Sequence, residues 1–292
     1  METQPILITG AAGRLGQACQ RVAHIRGLHT VALPHADLDI TDSAALAQAL
    51  RRYQPWAVVN AAGCVSIDAA EADTARCYSA NTTGPSRLAE ACAAHGAQLL
   101  TFSCDLVFDG QQARPYRERD AAHPLNVYGH SKLLAEEAVL AHLPSALVVR
   151  TSAFFSAWDE HNFVSRALTA ARQGETFTAA NDLVISPTYL PDLLNTALDL
   201  LLDGAHGRWH LANQGTCTWA ELARQTLRLA GLDEAAVQGR PATFFGWAAR
   251  RPRYSALASH YGALLPSIES GLRRHLHDAQ LAQTTQPARL AA

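Results

Sequence analysis

The chain has 292 residues, 48% of them hydrophobic, with 24 basic against 26 acidic side chains and a formal net charge of −2. That length holds one large core and a smaller lobe, while so even a charge balance leaves no electrostatic footprint for nucleic acid or an anionic membrane surface. No apolar run is long and charge-free enough to span a bilayer, and the amino terminus enters a strand at Ile6 without room for the regions of a signal peptide, so a soluble, cytoplasmic protein is expected.

In chain order, Ile6-Leu7-Ile8-Thr9 reads as a buried strand that runs into Gly10-Ala11-Ala12-Gly13-Arg14-Leu15-Gly16. Leu15, Ala18, Cys19, Val22 and Ala23 then recur at helical spacing. Strand, glycine turn and helix in that order form the context of a dinucleotide fingerprint. Glycines permit the tight turn and let backbone N–H groups approach a pyrophosphate at the positive end of the helix dipole. The spacing here is G-x-x-G-x-x-G, wider than the generic G-x-G-x-x-G. Further strand-like runs follow from Thr30 to Leu33, Trp56 to Asn60, Gln98 to Ser103 and Ala146 to Arg150, separated by helix-length segments. The alternation predicts an α/β fold, a Rossmann-type doubly wound parallel sheet with helices on both faces. Ligand then belongs at the carboxyl ends of the strands, which carry Gly10, Asn60-Ala61-Ala62-Gly63, Ser103-Cys104-Asp105 and Thr151-Ser152.

Between the fourth and fifth of these strands, a helix predicted over 125–141 holds Tyr128-Gly129-His130-Ser131-Lys132, and Lys132 is the one lysine in a chain otherwise supplied with arginine. A turn apart on one helix face, the ammonium would lower the phenol's pKa and make it a usable proton donor. Beyond residue 152 the pattern changes to a helix from Phe163 to Arg172, an irregular stretch from Asn181 to Pro187, and helices near 191–202 and 218–230. The run from Arg240 to Tyr261, rich in Arg, Pro and aromatics, reads as a lid or substrate lobe. Residues 1–152 are assigned to a cofactor-binding domain and 153–292 mainly to a smaller substrate-binding lobe, with a strand from Gly207 to Leu211 able to rejoin the main sheet. The tail after His277 is expected to fray. The 6 cysteines lack C-x-x-C spacing and are expected as buried free thiols. His275-x-His277 is expected on a surface helix, and no metal site is predicted.

Together these segments resemble the dTDP-4-dehydrorhamnose reductase branch of the extended short-chain dehydrogenase/reductase family. Besides the glycine turn and Tyr128-x-x-x-Lys132, the resemblance rests on Asp37-Leu38-Asp39-Ile40-Thr41-Asp42, Val58-Val59-Asn60-Ala61-Ala62-Gly63, Asp105-Leu106-Val107-Phe108-Asp109-Gly110, Pro124-Leu125-Asn126-Val127, Arg150-Thr151-Ser152, Asn162-Phe163-Val164, Ser186-Pro187-Thr188-Tyr189 and Arg251-Pro252-Arg253-Tyr254-Ser255. It implies a nucleotide-linked 4-keto-6-deoxy sugar as substrate, protonated by Tyr128 while a nicotinamide delivers hydride, with Lys132 on the nicotinamide ribose. It implies that Gly10, Gly13, Arg14, Leu15 and Gly16 cradle the pyrophosphate, that Asp39 and Ile40 lie near the adenine, and that Ala61, Ala62, Gly63, Ser103 and Thr151 line the cofactor. Asp105 and Phe108 fall where the family builds its sugar pocket. A homodimer is compatible with the resemblance. Leu33-Pro34-His35 ends the second strand without the carboxylate that bonds the adenosine ribose of NAD, and Arg14 can meet a 2′-phosphate, so NADP(H) is favoured with NAD(H) as the alternative.

Two positions depart from that pattern. Cys104 stands where the family carries a Thr or Ser that bonds the substrate carbonyl, and a thiol is a weak donor. Ser103 could substitute only if the strand were bulged. Ala153 stands where a bulky aromatic commonly helps hold the nucleotide-sugar. Two readings therefore stay open: an NADP(H)-dependent keto-sugar reductase, or a dinucleotide-binding paralogue without turnover, as in a branch resembling the methionine adenosyltransferase β subunit.

Overall fold

The computed structural model describes residues 4–285. Its elements in chain order are β1 (Ile6–Thr9), α1 (Arg14–Ile25), β2 (Thr30–Leu33), α2 (Ser43–Tyr53), β3 (Ala57–Asn60), α3 (Ile67–Ala72), α4 (Thr74–Tyr78), α5 (Gly84–His95), β4 (Gln98–Cys104), α6 (Val127–His142) and β5 (Leu147–Thr151). There follow β6 (Phe154–Phe155), α7 (Phe163–Arg172), β7 (Phe177–Ala180), β8 (Val184–Ile185), β9 (Thr188–Tyr189), α8 (Leu190–Leu202), β10 (Gly207–His210), β11 (Cys217–Thr218), α9 (Trp219–Leu229), β12 (Val237–Arg240) and α10 (Ile268–Thr285).

The main sheet has six strands in the order β10-β5-β4-β3-β1-β2, every neighbouring pair parallel. Strand alternation sorts its side chains into two cores. Ile6, Ile8, Val59, Leu100 and Val149 face α1 and α8, where Ala18, Val22, Leu193 and Leu194 close over them. Leu7, Val58, Leu99 and Val148 face the other way, against Leu46 and Leu50 of α2, Leu88 of α5 and Val139 of α6. Each such aliphatic side chain, nearly or wholly removed from water, contributes about 1.5–3 kcal/mol. Chain order reverses between β1 and β3, so a crevice opens at their carboxyl ends.

Elements beyond β5, apart from α8 and β10, build the smaller lobe, whose own cores gather Phe155, Val164, Tyr189 and Leu272, and Phe177, Ala220, Leu227 and Val237. β10 pairs with β5 and so belongs to the main sheet, as the sequence allowed. Three expectations are corrected here. The stretch from Asn181 to Pro187 is not wholly irregular, because β8 within it pairs with β11. His275 is buried, its ring against Phe155, since α10 turns that face into the lobe's core. The helix also continues past His277 to Thr285, so fraying does not set in at His277; the rest of the expected tail, 286–292, lies outside the described residues. Among the described residues no helix is long and apolar enough to cross a membrane.

Candidate active site

The crevice is built around a close approach of two turns. Gly10 has φ +64°, and a Cβ on it would fall 2.6 Å from the Cα of Ala62, so only glycine fits there. Gly13 N donates to Gly10 O at 2.9 Å and closes the turn. α1 then begins without a side-chain cap and without an acid in its first turn, leaving its N–H groups open toward the crevice. That arrangement fits a pyrophosphate. Leu15 packs into the adjoining core, and Ala61, Ala62 and Gly63 form the facing rim at the end of β3, with Ala62 N held by Asn60 Oδ1 at 3.2 Å. Thr151, at the end of β5, has a buried Oγ1 that meets no hydrogen-bond partner among the described residues, an orphan of the kind a bound group satisfies. The residues present therefore fit a dinucleotide.

The expected contacts at the adenosine end differ in detail. The Arg14 side chain lies 3.3 Å from Asp159, beyond β6, instead of standing free for a 2′-phosphate. Asp39 turns its carboxylate back to Thr41 N and Oγ1, both at 2.8 Å, which holds its pKa below the usual carboxylate value. Ile40 is buried with its Cδ1 against Gly84. Ile40 is thus turned into the fold, and the Asp39 carboxylate is already engaged locally by Thr41.

Tyr128 and Lys132 lie at the start of α6, whose first turn is fixed from several sides. Asn126 caps it by accepting from Gly129 N at 2.7 Å, and Glu71 at the end of α3 accepts from Val127 N at 2.8 Å. A Cβ on Gly129 would sit 2.1 Å from Leu106 O, so this glycine lets the helix press against the backbone that follows β4. Lys132 Nζ donates to Phe102 O at 3.1 Å and stands 6.0 Å from the centre of the Tyr128 ring. Burial pushes the Tyr128 phenol well above its ordinary pKa, and burial likewise lowers that of Lys132. This corrects the expectation of a lowered phenol pKa: desolvation outweighs the neighbouring cation.

The end of β4 presents Cys104 and Asp105. Cys104 is buried in the cluster that contains Val107 and Phe108 and against which Tyr128 packs. Burial pushes its thiol up to about 12, so it is a neutral weak donor and not a nucleophile. Ser103, expected to line the cofactor, points the opposite way and donates to Glu136 at 2.5 Å. The β4–β5 register runs unbroken through Ser103 and Cys104, so no bulge brings that hydroxyl round. Asp105 is buried; desolvation pushes its carboxyl up to about 6, restrained by donors from Ser255 Oγ at 2.5 Å and Ser152 Oγ at 2.9 Å. Ala153, directly after Ser152, has φ +41°, a left-handed conformation costly for a residue with a Cβ. Phe108 is not a pocket wall: it is fully buried, stacked on Tyr116 at 4.1 Å.

Several participants escaped sequence reasoning. Asn81 accepts from Cys64 N at 2.7 Å and donates to Cys64 O at 3.1 Å and Ser131 Oγ at 3.2 Å, joining the rim of β3 to α6. Ser255 was legible only within a longer stretch. Glu136 had a signal, since Tyr128, Lys132 and Glu136 recur every fourth residue along one helix face.

Residues 4–278 match the family model described as the RmlD substrate binding domain. A dTDP-4-dehydrorhamnose reductase of Streptomyces griseus is 39% identical over 259 residues, 86% of this chain and 84% of that protein. One from Mycobacterium tuberculosis is 37% identical over 267 residues, 90% of this chain and 87% of that one. Among solved structures, a dTDP-4-dehydrorhamnose reductase from Clostridium acetobutylicum superposes with a TM-score of 0.89 at 30% identity, covering 94% of this chain and 99% of the other. The Bacillus anthracis enzyme of that name, solved in complex with NADP, gives a TM-score of 0.89 at 29% identity over the same shares.

Proposed function

The chain belongs to the RmlD substrate binding domain family, and from that premise we propose that it is an NADP(H)-dependent reductase of a nucleotide-linked 4-keto-6-deoxy sugar, acting in the cytoplasm, with Tyr128 as its proton donor. When bound, the nicotinamide supplies hydride to the carbonyl carbon. The chain's own residues handle the oxygen. Tyr128 Oη gives its proton to that oxygen as the hydroxyl forms, and its raised pKa keeps the proton in place until then. The phenolate left behind is the costly species in a buried site, and Lys132, held by Phe102 O, opposes that cost as a fixed cation. Asp105, positioned by Ser152 and Ser255, faces the sugar.

The observation that carries this reading is the placement of Tyr128 and Lys132 on the first turns of α6, fixed against the end of β4 by Lys132 Nζ and Gly129. Residues 1–152 with α8 and β10 form the cofactor-binding part, and 153–292 otherwise mainly the sugar-binding lobe. The relatives reported above carry reductase names, and nothing among them favours a paralogue without turnover. NADP(H) is preferred because β2 ends in Leu33-Pro34-His35 without a carboxylate, in keeping with the NADP held by the Bacillus anthracis relative.

The test is a fluorescence titration with NADPH and NADH, followed by addition of a dTDP-4-keto-6-deoxy sugar. NADPH should bind more tightly than NADH, and its fluorescence should decay once the sugar is added. Binding without oxidation would overturn the assignment of this substrate, and failure to bind either cofactor would overturn the crevice as a dinucleotide site.

A further inference from the structure

A cavity of about 390 Å³ opens between the first turns of α1 and the segment that follows β6. Arg14, Gln17 and Arg21 line its α1 wall, and Trp158, Asp159 and Glu160 line the other. Arg14 is the first residue of α1, so the cavity adjoins the open N–H groups that fit the cofactor's pyrophosphate. An acid stands there: Asp159 Oδ2 lies 3.3 Å from Arg14 Nε.

The acid is the fixed member of that pair. Its Oδ1 accepts from His161 N at 2.9 Å, and Trp158 beside it packs on the main core, with the Arg21 guanidinium 4.9 Å from its ring centre. Asn162, which caps α7, donates to Ser156 O at 2.7 Å and closes the segment on itself. Arg14 is the movable member, its side chain 60% exposed against 16% for Asp159. The contact runs through Nε, and at 3.3 Å it is longer than a charge-assisted hydrogen bond.

So exposed and long an ion pair contributes little. A pyrophosphate brings two negative charges, oxygens that match the planar guanidinium, and a seat at the positive end of the helix. It takes Arg14 from an acid whose backbone anchors hold it in place. Resting on the crevice as a dinucleotide site, we propose that Asp159 competes with the cofactor's pyrophosphate for Arg14. Each binding event breaks the pair and each release restores it, so Asp159 weakens dinucleotide affinity and speeds departure of the oxidised cofactor after hydride transfer.

Calorimetric titration of the full chain with NADPH, and separately with NADH, tests this. Asp159→Asn keeps an acceptor for His161 N and removes only the charge, so both Kd values should fall by about three- to fivefold, the worth of an exposed ion pair. Glu160→Gln removes an equal charge from the same wall and should leave both within about 1.5-fold of wild type. In an Arg14→Ala background, Asp159→Asn should likewise have no effect beyond that margin. An unchanged or raised Kd in folded Asp159→Asn overturns the proposal, as does an equal gain in Glu160→Gln or a gain that survives Arg14→Ala. A gain confined to NADPH overturns it too, because both cofactors carry the pyrophosphate and only one carries the 2′-phosphate. If wild type binds neither cofactor, the dinucleotide reading itself falls; if it binds them and Asp159→Asn is unchanged, that reading stands and Asp159 alone is excluded.

Discussion

Ser103 donates to Glu136 across 2.5 Å, and that bond leaves Cys104 as the β4 side chain packed with Tyr128. No hydroxyl from this strand can then polarise the substrate carbonyl, and a thiol is a poor replacement. Cys104→Thr should therefore raise kcat, by roughly tenfold and at most ~10²-fold, the usual worth of one such donor. The measurement is steady-state NADPH oxidation with the keto-sugar, with the melting temperature followed alongside. An unchanged or lower kcat in a folded variant would mean that the carbonyl is not held at this position.

Tyr128→Phe removes the proton and little else, since a phenyl ring keeps the packing. It should lower kcat by ~10²–10⁴-fold while the Kd for NADPH stays within twofold. Because burial raises the phenol's pKa, the wild-type rate should show no decline from Tyr128 deprotonation up to pH 10. An activity loss with a midpoint near pH 7 to 8 that vanishes on substituting Tyr128 would contradict that electrostatic picture.

Asp105 contributes a pH dependence of opposite sense to an ordinary carboxylate. Its pKa of about 6 in the fold exceeds the unfolded value of 3.8, so the folded state binds the proton more tightly. Stability is then full below about pH 4 and falls as pH rises through 6, by roughly 3 kcal/mol in all. Asp105→Asn escapes this loss. Its melting temperature should exceed that of wild type at pH 8, with the gap closing between pH 6 and 4, while turnover drops. A gap that does not vary with pH would remove Asp105 as its source.

How much of this was legible in sequence depends on the range of each interaction. The strands of the sheet and the helix from Phe163 to Arg172 are local patterns of apolar spacing, and the structure has them at nearly the expected bounds. The glycine turn and the Tyr128–Lys132 spacing are equally local. Ser103 was ambiguous because its direction depends on Glu136, 33 residues away, and the donor Ser255 lies 150 residues from Asp105. The Tyr128 pKa was misjudged because a helical spacing reveals the nearby cation and says nothing of how deeply the pair is buried. His275 was misplaced for the same reason: a His-x-His on a helix does not tell which face the lobe will cover.

Glu136 is buried and takes bonds from Arg150 Nε at 2.8 Å and Nη2 at 2.5 Å, from Ser103, and from Arg208 at 2.9 Å. Burial alone would raise its pKa, but those donors, Arg150 foremost, bring it below the ordinary value. Glu136→Gln would leave the equally buried Arg150 without a counter-charge, a loss of about 3–5 kcal/mol. Chemical denaturation at pH 7 reads this directly. A loss under about 1 kcal/mol, far below the usual cost of breaking a buried pair, would show that His210, whose Nε2 lies 3.3 Å from Arg150, or water compensates the cation.

His275 sets the acid side of the stability curve. Neither ring nitrogen has a hydrogen-bond partner among the described residues, the ring lies edge-on to Phe155, and burial lowers its pKa to about 4 from 6.5. The folded state requires the neutral ring, so stability is whole above pH 6.5 and is lost as pH falls toward 4, at about 1.4 kcal/mol per unit. His210 is lowered to about 4 as well, by burial and by Arg150, and adds a slope of the same sign. In an Asp105→Asn background, which removes the opposing slope of that carboxyl below pH 6, His275→Leu should therefore halve the steepness between pH 6.5 and 5 without abolishing it, and gain about 2 kcal/mol over the parent at pH 5. Unfolding free energies measured across that range decide the matter: a variant whose slope equals that of its parent would place the acid sensitivity elsewhere, with His210 the first residue to substitute, because its Nδ1 already donates to Tyr116 O and Ala258 O and a second proton would face Arg150.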